Sequence, residues 1–155
     1  MKFQETTISL QEVPGEISLI FQISECPHRC SGCHSPELWT GKGVELTSEH
    51  LLKEIGRYSG LITCVCFFGG EWEGNYLIRL LKIVREAGYK TCLYSGAVSV
   101  SQEIQKHLNY LKTGPWMEEL GGLHSITTNQ RFINLDNGKC LNHLFQHTHK
   151  EGHTC

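Results

Sequence analysis

The sequence predicts an α/β fold with a mainly parallel sheet. Three observations predict it: short apolar runs at 17–24, 61–68 and 90–94, amphipathic helical stripes between them, and glycine turns after them. Residues 17–24, ISLIFQIS, read as a buried strand. From Thr47 to Tyr58, Leu51, Leu52, Ile55 and Tyr58 recur at helical spacing; Thr47 or Ser48 can cap the start and Glu49 suits the first turn. The run LITCVCFF at 61–68 is continuous enough for a strand covered on both faces, and it stops at Gly69-Gly70. A helix over about Asn75–Ala87 carries the stripe Leu77, Leu80, Leu81, Val84, with Gly88 as its stop.

Residues 90–94, KTCLY, form the next strand, ending at Ser95-Gly96. Ser99 and Gln102 have capping-box spacing before a short helix carrying Ile104 and Leu108. Tyr110-Leu111-Lys112 and Arg131–Leu135 complete the set as weaker strands. Strands alternating with helices imply parallel pairing through crossovers, and ligands in such folds gather at the carboxyl ends of the strands. The segment after 17–24, Gly69-Gly70-Glu71 and Ser95-Gly96 should therefore meet on one rim.

A chain of 155 residues, 39% hydrophobic and 19% charged, suits one globular domain. We expect that domain at 1–137, where no repeat, linker or low-complexity run interrupts it. A formal charge of −2 gives no global electrostatic case for nucleic acid or an acidic membrane. No segment reaches the roughly 20 apolar residues of a membrane span, and MKFQETTISLQEV lacks the apolar core of a secretory signal. A cytoplasmic protein is expected.

Against this ordinary background stand 8 Cys and 9 His. Cys64, Cys66 and Cys92 sit in the predicted strands and read as packing residues. The tail 138–155 holds Cys140, His143, His147, His149, His153 and Cys155, a set that suits either zinc or a polar terminus. Cys26, Cys30 and Cys33 are different. They fall within eight residues at spacing CxxxCxxC, in a segment broken by Pro27, Gly32 and Pro36, and binding one metal centre explains them most economically. Two centres suit that spacing: a tetrahedral zinc with His28 or His34 as fourth ligand, or an iron–sulfur cluster with one iron left open.

The loop resembles the signature of the radical S-adenosylmethionine (SAM) enzymes, in which CxxxCxxC holds a [4Fe–4S] cluster. The resemblance implies that SAM chelates the open iron and is cleaved by an electron from the cluster to give a hydrogen-abstracting radical. It also implies a reduced, partly open (β/α) barrel and no catalytic residue beyond cluster and cofactor. Gly69-Gly70-Glu71 resembles the family's GGE motif, which receives the SAM ammonium; Ser95, Lys112 and Asn129 are further candidate cofactor contacts.

At this length the chain is similar to the activating proteins of anaerobic ribonucleoside-triphosphate reductase. The likeness runs from about Glu12 to Leu135, through Cys30–Trp39, Lys112–Leu120 and Thr127–Arg131. It implies an activase that abstracts hydrogen from a glycine of that reductase, with a flavodoxin- or ferredoxin-like electron donor. A formate-lyase-type partner is one alternative, and a non-catalytic zinc-binding module is another. The sequence departs from the family pattern at Trp72, where proline is common, at Thr113, where some relatives have aspartate, and in Val13-Pro14-Gly15-Glu16, which only partly resembles a Gly-Pro-Gly segment.

Overall fold

The computed structural model describes residues 1–146. In chain order its strands are β1 (Lys2–Ser9), β2 (Ser18–Ile23), β3 (Val44–Glu45), β4 (Cys64–Phe68), β5 (Lys90–Tyr94), β6 (Tyr110–Thr113), β7 (Arg131–Asn134) and β8 (Lys139–Cys140). Its helices are α1 (Ser48–Arg57), α2 (Gly74–Glu86) and α3 (Gln102–Gln105). The strands form one sheet in the order β3-β1-β2-β4-β5-β6-β7-β8, open at both ends. The central strands β2, β4, β5 and β6 are parallel, and this parallel centre between unpaired edges is the expected partly open barrel.

Both faces of the central strands are covered, which is why β4 reads as an unbroken apolar run and its neighbours are apolar on both faces. Successive side chains alternate between faces. On one face Leu19, Phe21, Val65, Phe67, Leu93 and Leu111 meet the helices, through Leu51 and Ile55 of α1 and Leu77, Leu80, Leu81 and Val84 of α2. On the other, Ile20, Cys64, Cys66, Cys92, Tyr110 and Phe132 form a second layer, against which Leu141 and Phe145 pack. Cys64, Cys66 and Cys92 are fully buried and unbridged. Burial pushes the Cys64 and Cys66 thiols upward, so they stay neutral and behave as apolar filling.

The helix ends follow from their side chains. Thr47 Oγ1 accepts from the His50 amide at 3.1 Å, and Gly88, at φ 87°, terminates α2. Other boundaries differ from expectation. Ser101 caps α3 in place of Ser99, accepting from the Ile104 amide, and Leu108 lies beyond the helix. The strand in 61–68 starts only at Cys64, with Leu61 half-exposed. β1 is an addition, antiparallel to β2, and β7 runs antiparallel to β6 because the stretch joining them contains no crossover helix.

Residues 139–140 of the tail belong to the sheet, paired with β7. Cys140 is exposed and His143 lies in a 3-10 turn at Asn142–Leu144. His147, His149, His153 and Cys155 lie outside the described residues. No described helix is long and apolar enough to cross a membrane.

Candidate functional site

The segments following β2, β4, β5 and β6 lie together at the carboxyl edge of the sheet, laced by backbone bonds. The Gly69 amide donates to the Tyr94 carbonyl at 2.8 Å, the Ser95 amide to the Lys112 carbonyl at 2.9 Å and the Gly114 amide to the Ala97 carbonyl at 2.8 Å. The expected rim is therefore real, and it is rigidly tied to the strands.

The cysteine loop is tied at its start to Leu38 and closed on itself by a turn at Cys30–Cys33. The Cys26 amide donates to Leu38 O at 2.9 Å and the Cys33 amide to Cys30 O at 3.2 Å. Between these points the chain turns sharply. Glu25 and Arg29 have φ of 66° and 44°, values that cost free energy in non-glycine residues and cluster at functional sites. Cys26, Cys30 and Cys33 are all half-buried and line one cavity of about 190 Å³. Burial pushes the Cys26 thiol up, opposed by the backbone N–H groups of His28 and Arg29 and reinforced by the Glu71 charge. A cationic metal centre is what would reverse that rise.

The two histidines proposed as zinc ligands both have neighbours in the site. His28 Nε2 is 2.9 Å from Glu71 Oε1, and the His34 ring lies 4.2 Å from that of Trp116. Among the described residues no three His, Cys, Asp or Glu side chains are gathered about a point that one ion could occupy.

Glu71 follows two glycines whose φ of 90° and 105° few other residues tolerate. A Cβ on Gly69 would stand 2.5 Å from the Trp72 ring, so Trp72 seals this turn. Glu71 Oε1 accepts from both His28 Nε2 and Ser95 Oγ, the latter at 2.5 Å. Its second oxygen, Oε2, is buried without any donor. A buried, unpaired carboxylate oxygen is costly, and a ligand ammonium group is the kind of donor that would satisfy it. The residues present thus fit a cationic ligand beside the cysteine loop. Glu71 does not itself line the cavity; His28 and Gly69 do.

Lys112 stands between this cavity and a larger one of about 830 Å³, lining both together with Tyr94 and Trp116. Its Nζ donates to Gly114 O at 2.8 Å, and only 8% of the residue is exposed. Burial lowers its pKa to about 8, with the charges of Cys30 and Glu71 drawing it back upward. The larger cavity contains none of the cysteines, so volume alone would misplace the chemistry.

The structure therefore brings together Cys26, Cys30, Cys33, Gly69, Gly70, Glu71, Ser95 and Lys112. It does not bring Asn129 to either cavity: its Nδ2 donates to Pro115 O at 3.0 Å and ties the β6–β7 connection together. Tyr94 and Trp116 gain importance as walls shared by both cavities. Their sequence positions, a strand end and a Gly-Pro-Trp turn, carried only a weak signal of this.

Comparison with known proteins bears on the family. A family of 4Fe-4S single-cluster domains matches residues 14–122. A pyruvate formate-lyase-activating enzyme from Clostridium pasteurianum is 34% identical over 110 residues, covering 65% of this chain and 46% of that protein. This chain thus matches about half the length of that relative. The crystal structure of QueE from Escherichia coli shares the fold, with a TM-score of 0.53 and 17% identity over 70% of this chain and 67% of that one. The chain belongs to the 4Fe-4S single-cluster domain family within the radical SAM superfamily, and its cofactors are a [4Fe–4S] cluster and SAM.

Proposed function

We propose that this chain is a glycyl-radical activase whose partner is anaerobic ribonucleoside-triphosphate reductase. One observation carries the reading: an unpartnered, buried carboxylate oxygen on Glu71, next to a strained loop whose three thiols face one cavity. In this reading Cys26, Cys30 and Cys33 would hold the cluster. When bound, cluster and SAM supply an electron to the sulfonium and a hydrogen-abstracting radical. The chain's own residues position and shield. Gly69 and Gly70 let backbone approach the ligand closely, Glu71 accepts its ammonium, Ser95 holds Glu71 in place, and Lys112 offers a cation to a carboxylate or ribose oxygen. Trp39, Trp72 and Trp116 wall the cavity and exclude water. Asn129 supports the site through the backbone of Pro115.

The larger cavity, parted from the cysteine-lined one by Tyr94, Lys112 and Trp116, is the face to which the target glycine would come. A flavodoxin- or ferredoxin-like protein is the electron donor, and the activity is cytoplasmic. The choice of reductase rests on the resemblance carried by Lys112–Leu120 and Thr127–Arg131. The 34% identity to a formate-lyase activase favours a second reading, in which a formate-lyase-type enzyme is the partner.

The test is to reconstitute the protein anaerobically with iron and sulfide, add SAM and a reductant, and mix it separately with each enzyme. A glycyl signal in electron paramagnetic resonance with the reductase supports the first reading. A signal only with the formate lyase selects the second.

A further inference from the structure

We propose that His28 is a positioning residue: its ring donates to Glu71 Oε1 and thereby orients that carboxylate, with Oε2 left free, for the ammonium group of SAM. The inference rests on the assignment of Glu71 given above. His28 is the second residue inside CxxxCxxC, yet its side chain reaches 43 positions along the chain to the GGE turn. Its backbone N–H faces the Cys26 sulfur. One residue thus touches a thiol and the carboxylate, and it lines the cavity that Glu71 does not.

The ring is seated for this purpose. A Cβ on Gly96 would come within 2.8 Å of His28 Cδ2, so the absence of a side chain at 96 creates the niche that holds the imidazole. Trp72 lies edge-on to it, with centroids 6.5 Å apart. Ser95 Oγ reaches the same Oε1, so two donors converge on one oxygen and leave the other without a partner. A side chain that merely blocked the site would occupy the free oxygen. His28 takes the opposite one and fixes the direction in which the free oxygen points.

The chemistry allows a discriminating set of variants. Glutamine carries an N–H₂ donor at nearly the reach of His Nε2, whereas alanine carries none. Reconstituted wild type, His28→Ala, His28→Gln, Glu71→Gln and the double variant His28→Ala/Glu71→Gln are compared by equilibrium dialysis against SAM, with affinity taken per bound cluster. Hydrogen bonds to charged groups lead us to expect about tenfold or more weaker binding in His28→Ala. His28→Gln should stay within about threefold of wild type. If His28 acts through Glu71, His28→Ala should cost little further affinity in the Glu71→Gln background.

Wild-type or tighter binding by His28→Ala overturns the proposal. So does a His28→Gln variant as weak as His28→Ala, which would make ring packing the cause, or fully additive losses in the double variant. Wild type that holds its cluster but binds no SAM overturns the functional reading itself, a result visible without any variant.

Discussion

The imidazole of His34 and the indole of Trp116 lie 4.2 Å apart, joining the cysteine loop to the β6–β7 connection. Gly32 lies against the same indole, where a Cβ would approach Trp116 Nε1 to 3.4 Å. Trp116 is therefore both wall and anchor: it separates the small cavity from the large one and holds the cysteine loop against the barrel. Replacing it with alanine should open the partition. Trp116→Ala should reconstitute with the same iron content but bleach faster in air than wild type, followed by visible absorption. It should also lower stability by about 2 kcal/mol, less than a fully buried tryptophan would cost.

Lys112 gives the unliganded protein a specific pH dependence. Its folded pKa is lowered to about 8 from an ordinary 10.5. Below about 8 the ammonium is charged in both states and its burial penalises the folded one. Between the two values the folded protein has released the proton and the unfolded chain still holds it, so stability rises with pH. Lys112→Met should remove that rise and be the more stable protein at pH 7. Urea midpoints at pH 7 and pH 10 before reconstitution check this; parallel pH curves for the two proteins would refute it.

Two groups of cysteines should respond in opposite ways. Cys30→Ala removes a half-buried loop thiol, so it should leave the fold intact and abolish iron binding and absorption. Cys66→Ala removes a fully buried sulfur from the sheet's second layer. It should keep its iron and lose about 1 kcal/mol of stability to the small void. Iron analysis and thermal unfolding of both variants decide the point.

Much of the molecule was legible in the sequence because local and global signals coincide there. Within LITCVCFF the stretch CVCFF is apolar throughout since both faces of β4 are covered, and Gly69-Gly70 ends it because positive φ is needed at the turn. β1 escaped because a register irregularity between Phe3 and Glu5 breaks its alternation. The direction of β7 was hidden because a strand pattern does not state its partner's polarity. The helix-free stretch from Gly114 to Gln130 was the available clue. Ser99 has capping-box spacing to Gln102, but α3 begins at Gln102 itself, so the cap falls to Ser101. The site was legible as far as CxxxCxxC and GGE are local motifs. The bond from His28 to Glu71 was not, since it depends on two loops being brought together by strands that pair in space.

A cluster held by Cys26, Cys30 and Cys33 would act on SAM bound beside Glu71. The most direct measurement is iron, sulfide and 5′-deoxyadenosine analysis of anaerobically reconstituted protein incubated with SAM and a strong reductant. The account predicts about four irons and four sulfides per chain, together with 5′-deoxyadenosine and methionine in equal amounts. Colourless protein holding only zinc in the cysteine loop, or a cluster that leaves SAM intact, would contradict it.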